Sequence, residues 1–142
     1  EADAVRKAGE ILLERGARRA VPLNVSGPFH SRMLSGAGER LRKDLDKVPV
    51  FDFEIPYVSN LTADYVTCAE PVRDLLEKQI CSPVKWQQSV EKMLADGVST
   101  FVEIGPGRTL SAFVKKISRE AVVLNVDKYE DLNRCVEVLK NA

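Results

Sequence analysis

From Trp86 onward the chain alternates helix-spaced and strand-like runs, and this alternation restricts it to an α/β layer on a largely parallel sheet. Trp86, Val90, Met93 and Leu94 recur at helical intervals as far as Gly97, which predicts a helix. Thr100 to Ile104 then reads as a buried strand, and Gly105-Pro106-Gly107 turns the chain into a helix over Thr109 to Ile117. The pattern repeats with a strand over Ala121 to Val126 and a helix over Tyr129 to Leu139. A strand followed by a helix and another strand is the unit from which parallel sheets are built.

The earlier part is less regular. Ala4, Val5, Ala8, Ile11 and Leu12 mark one apolar helix face that ends near Gly16. Ala20 to Val25 is a short apolar run read as a strand, with Pro22 at a position needing no ladder donor. Met33, Ala37, Leu41 and Leu45 keep helical spacing from Arg32 to Lys47, until Pro49 stops it. Ile55 to Asn60 predicts a second strand and Asp64 to Thr67 a short third one. Pro71 suits the first position of a helix through Val72, Leu75, Leu76 and Gln79, which Ser82-Pro83 breaks. No internal repeat and no linker divides the chain.

Composition narrows the function classes. With 142 residues, 44% of them hydrophobic, the chain is long enough to bury a core. Lys plus Arg and Asp plus Glu are equal at 21 each, so no net field favours nucleic acid or an anionic membrane, and neither is expected as a partner. Cys68, Cys81 and Cys135 are widely spaced with no C-x-x-C pair, which argues against a disulfide framework or a metal site and for a reducing, cytoplasmic setting. No apolar run approaches the ~20 residues that span a bilayer. Glu1-Ala2-Asp3-Ala4-Val5 enters an amphipathic pattern at once without an initiator Met, so the chain is expected to be cut at its front.

The one histidine, His30, stands in Asn24-Val25-Ser26-Gly27-Pro28-Phe29-His30-Ser31, a turn between a strand-like and a helix-like run. Imidazole titrates near neutrality, so a histidine displayed on such a loop is a candidate general base, with a capping or surface role as the alternative. No G-x-S-x-G elbow supplies a nucleophile for it. Glu103-Ile104-Gly105-Pro106-Gly107-Arg108-Thr109 reads chiefly as a tight strand-to-helix turn and only secondarily as an anion cradle, since it matches neither G-x-G-x-x-G nor the P-loop. Trp86 is assigned to core packing, the mixed charges of Glu39 to Asp44 to a solvated helix face, and the cysteines to thiols without an activating base.

Four stretches in order, namely Asn24 to Ser31, Tyr57-Val58-Ser59-Asn60, Gln79 with Ser82-Pro83-Val84-Lys85-Trp86, and Glu103 to Gly107, resemble the C-terminal half of malonyl-CoA:acyl carrier protein transacylases. The resemblance covers essentially the whole chain. It implies the C-terminal part of an α/β-hydrolase-like acyltransferase fold, with residues 1–25 as the last helix and strand of an inserted ferredoxin-like subdomain and 26–142 in the large subdomain. It implies ping-pong transfer of malonyl from coenzyme A to acyl carrier protein in fatty acid biosynthesis, through a serine outside this chain, with no resident cofactor.

In that scheme His30 is the base, and Gln79 is the position whose backbone carbonyl holds the other imidazole nitrogen. Phe29 matches the position that favours malonyl over methylmalonyl, and Ser59 and Asn60 match a loop beside the substrate. The implied partners are the N-terminal half of the same enzyme, malonyl-CoA and acyl carrier protein, and the chain alone is expected to be inactive and poorly stable. Two alternatives stay open. One is an acyltransferase domain of a polyketide or multifunctional fatty acid synthase. The other is a noncatalytic carrier-binding fragment docking through Arg32, Lys85 or Arg108.

Overall fold

The structure, a computed structural model, describes residues 1–141. In chain order it contains α1 (Ala2–Glu14), α2 (Ser35–Leu45), β1 (Tyr57–Val58), β2 (Tyr65–Val66), α3 (Val72–Ile80), α4 (Trp86–Ala95), β3 (Thr100–Ile104), α5 (Thr109–Ile117), β4 (Val122–Val126) and α6 (Tyr129–Lys140). The expected α/β class is realised from α4 onward. Strands β3 and β4 pair in parallel from Thr100 opposite Val122 to Ile104 opposite Val126, and α5 makes the crossover. Val90 of α4, Val114 of α5 and Ala121 before β4 form the core cluster, with Trp86, Met93, Leu94, Phe101, Ile117 and Val123 packed around it. Trp86 thus takes the packing position its helical spacing predicts.

The first half departs from expectation where strands need partners. Ala20 to Val25 forms no strand, and Val21, Leu23 and Val25 are exposed. Pro22 offers no N–H, and the Val25 N–H turns back to the Leu23 carbonyl at 3.0 Å, a three-residue turn that bends the run out of extended geometry. The strand predicted over Ile55 to Asn60 shrinks to β1, because Pro56 lacks a donor and Ser59 is drawn into a loop, its N–H on the Asp64 carbonyl at 3.0 Å and its carbonyl accepting from Ala63 at 2.8 Å. β1 and β2 therefore pair with each other, antiparallel, as a two-stranded hairpin separate from the parallel pair. The helix predicted from Arg32 opens as a 3₁₀ turn over Arg32–Leu34 before α2 begins. Pro71 stands one position before α3 and supplies its first carbonyl, accepting from Leu75 at 3.0 Å.

Helices α2 and α3 pack antiparallel. A Cβ built on the buried Gly38 would lie 3.0 Å from the Glu77 carbonyl, so glycine is what lets the two backbones approach. At the other end of the pair, the Arg73 guanidinium donates to the Leu45 carbonyl at 2.9 Å, which also accepts from the Val48 N–H at 3.1 Å, and to the Val48 carbonyl at 2.7 Å, so it ties α3 to the C-terminal end of α2.

Candidate active site

His30 has φ +57°, in the left-handed region that histidine enters more readily than most residues. The turn around it is tied locally: the Ser31 hydroxyl donates to the Pro28 carbonyl at 2.7 Å, and Ser31 precedes the 3₁₀ turn. From this turn the His30 Nδ1 lies 3.1 Å from the backbone carbonyl of Gln79, in the last turn of α3. A carbonyl can only accept, so the neutral ring carries its proton on Nδ1 and keeps the Nε2 lone pair free. A residue 49 positions away in sequence thereby orients the imidazole without adding a charged group.

The other predicted residues are arranged around this contact unevenly. Phe29 is 60% exposed, and its ring folds over Gly27, where a built Cβ would come 3.5 Å from the Phe29 Cζ. Ser59 is 1% exposed and its hydroxyl accepts from the Leu61 N–H at 3.2 Å, so it is engaged within its own loop. The Asn60 carbonyl accepts from the Lys85 N–H at 2.9 Å. The segment between α3 and α4 is therefore anchored at one end beside Gln79 and at the other by the β1–β2 loop. Among the described residues, the imidazole's side-chain hydrogen bond goes to Gln79 and not to Ser59 or Asn60.

The glycine-rich turn after β3 is occupied by the protein itself. The Glu103 carboxylate accepts from the backbone N–H groups of Leu110 at 3.1 Å and Ser111 at 2.8 Å and from the Ser111 hydroxyl. Two of the N-terminal donors of α5 that an external anion would use are thus taken. These bonds, led by the Ser111 hydroxyl, hold the Glu103 carboxyl below the usual glutamate range. Asn125 Nδ2 donates to the Gly107 carbonyl at 2.8 Å and braces the turn, in which Gly107 adopts φ +88°. Sequence reasoning left Glu103 and Asn125 without these roles, although an acidic residue shortly before a helix start is a capping signal.

A cleft of about 370 Å³ opens between α5, β4 and α6, lined by Arg108, Ser111, Lys115, Asp131 and Arg134 among others; it holds Arg108 of the docking candidates but none of His30, Gln79, Phe29, Ser59 and Asn60. Cys68, Cys81 and Cys135 are free thiols, with Cys68 exposed and Cys135 buried. Among the described residues no cluster of His, Cys, Asp or Glu stands ready to hold a metal ion, and no helix is long and apolar enough to cross a membrane.

No family model matches the chain. It is 41% identical over 139 residues to the malonyl CoA-acyl carrier protein transacylase of Bacillus subtilis, an alignment covering 98% of this chain and 44% of the relative. The chain belongs to the malonyl CoA-acyl carrier protein transacylase family. It spans a little under half the length of the curated relatives it matches. The fold agrees: the crystal structure of the family member from Clostridium perfringens superposes with a TM-score of 0.89 at 38% identity, covering 97% of this chain and 43% of that one. A malonyl-transacylase solved in complex with its type II polyketide acyl carrier protein superposes with a TM-score of 0.87 at 32% identity, over 99% of this chain and 44% of that one. The α/β acyltransferase fold is therefore common to this chain and these transacylases.

Proposed function

We propose that this chain is the base-bearing, C-terminal part of an acyltransferase that moves malonyl from coenzyme A to acyl carrier protein in fatty acid biosynthesis. The observation that carries the reading is the 3.1 Å contact between His30 Nδ1 and the Gln79 carbonyl, in a chain of this family. With Nδ1 committed to that carbonyl, Nε2 takes the proton of a serine hydroxyl supplied from outside residues 1–142. The serine oxygen attacks the malonyl thioester carbon, and the carbon–sulfur bond breaks as the imidazolium protonates the departing coenzyme A thiolate. In the second half-reaction the phosphopantetheine thiol of the carrier gives its proton to Nε2 and attacks the malonyl ester. The serine oxygen leaves with that same proton, so His30 ends each cycle neutral.

A carbonyl suits this substrate better than the carboxylate of a Ser-His-Asp triad, because malonyl brings its own negative charge into the pocket and a fixed anion would repel it. Phe29 supplies the wall that excludes a methyl branch, and Ser59 and Asn60 shape the loop beside the substrate. Residues 1–25 form the end of the small subdomain and 26–142 the large one. The partners are the N-terminal half of the enzyme, malonyl-CoA and an acidic carrier protein, in the cytoplasm.

The test is mass spectrometry of the full-length protein incubated with malonyl-CoA. A malonyl-sized increase on a serine outside this chain is expected, and His30→Ala is expected to slow transfer by roughly two to four orders of magnitude. Absence of labelling, or near-normal turnover of His30→Ala, overturns the assignment.

A further inference from the structure

We propose that Arg42 and Arg73 are positioning residues, a two-arginine clasp that sets the register of α2 against α3 and so holds the Gln79 carbonyl on His30; this rests on His30 being the base. His30 stands just ahead of the 3₁₀ turn Arg32–Leu34 that leads into α2, and Gln79 lies in the last turn of α3, so a slide or splay of the antiparallel pair carries through that short turn to the distance between ring and carbonyl. At 3.1 Å that bond has little slack, since a separation of 3.6 Å is no longer a hydrogen bond.

The contacts that resist such motion lie along the same helix pair. Gly38 admits the close approach at Glu77 but cannot by itself fix the register, because it presents no side chain to interlock. Arg42 fixes it from α2: its guanidinium reaches Asp74 and, at 3.3 Å, Glu77 of α3, while its Nε donates to Asp46 at 2.8 Å. Arg73 fixes it from α3, with two donors of one planar fork on the Leu45 and Val48 carbonyls. Each arginine originates on one helix and ends on or just beyond the other, so the pair opposes sliding in both directions. Asp74 and Glu77 lie in the same helix as Gln79, which makes the link from clasp to carbonyl a single rigid element.

The prediction separates position from stability. In the full-length protein, Arg73→Gln and Arg42→Gln are expected to lower kcat by roughly 10- to 100-fold, the scale of a misplacement near 1 Å, with KM for malonyl-CoA little changed. The ring itself reports the cause. Nitrogen NMR of the His30 imidazole, assigned by its disappearance in His30→Gln, should show the Nδ1–H tautomer in the native protein and a rise of Nε2–H in both variants. Arg73→Lys, which keeps a donor for one carbonyl, should restore part of both signals. Variants that melt earlier yet keep the native ring tautomer and kcat overturn the clasp while leaving the base intact. A His30→Gln variant that transfers malonyl normally overturns the base reading instead. If a Gln variant does not fold, the Lys variant and its ring spectrum still decide the matter.

Discussion

His30 combines two properties that usually work against each other. Its left-handed backbone carries a steric cost for any residue with a Cβ, of order 1 kcal/mol or more, and such strain persists where surrounding structure over-determines it. Asparagine tolerates this region well, so His30→Asn should leave the melting temperature unchanged or raise it while removing malonyl transfer; a large loss of stability would assign the residue a packing role. At Gln79 the contact is made by the backbone, so Gln79→Ala should keep activity within a few-fold of the native protein, measured as kcat. The histidine was legible in the sequence because it is the only one and sits on a Gly-Pro turn. Its carbonyl partner was legible only through the family resemblance, because a backbone acceptor has no side-chain signature.

Among the elements, those whose hydrogen bonds are internal were read most accurately. Helix α5 occupies Thr109–Ile117 and α6 occupies Tyr129–Lys140, within one residue of what their periodicity predicts. Strands lacking a neighbour in the chain were overread, as Ala20 to Val25 illustrates, because apolar alternation states a capacity to pair and not a partner. The cap on α5 has a pH signature. Glu103 has a carboxyl pKa lowered by folding, so its contribution is present above the ordinary glutamate value, about 4.3, and is lost as pH falls through the lowered one. Melting temperatures measured from pH 7 to pH 3 should fall over that window in the native protein. Glu103→Gln should start lower at pH 7 and depend less on pH. An identical acid profile in the variant would mean that the cap contributes nothing to stability.

At the scale of the molecule the surface is too large for the mass. A compact monomer of this size exposes about 7,300 Å², whereas this chain of 15.8 kDa exposes 11205 Å². The excess, roughly 3,900 Å², far exceeds the ≈ 800 Å² that one partner buries in a standard interface. Ile55, Phe51 and Ile104 are each about four-fifths exposed, and only Val66, Val90, Val114, Ala121 and Cys135 are buried among the described apolar residues. Since the chain spans 44% of its Bacillus relative, these faces are expected to be covered in the full-length protein. The isolated chain should therefore bind a hydrophobic dye and unfold over a broad range, while the full-length protein should not; sharp, dye-free unfolding of the isolated chain would refute this. By itself the sequence determined the helices, the βαβ unit and the histidine turn, because periodicity, turn residues and a lone imidazole are local. The tertiary structure alone decided the antiparallel fit of α2 on α3, the Arg42 and Arg73 contacts across it and the Glu103 cap. Each of those joins groups distant in sequence through backbone atoms or geometry that no single residue type encodes.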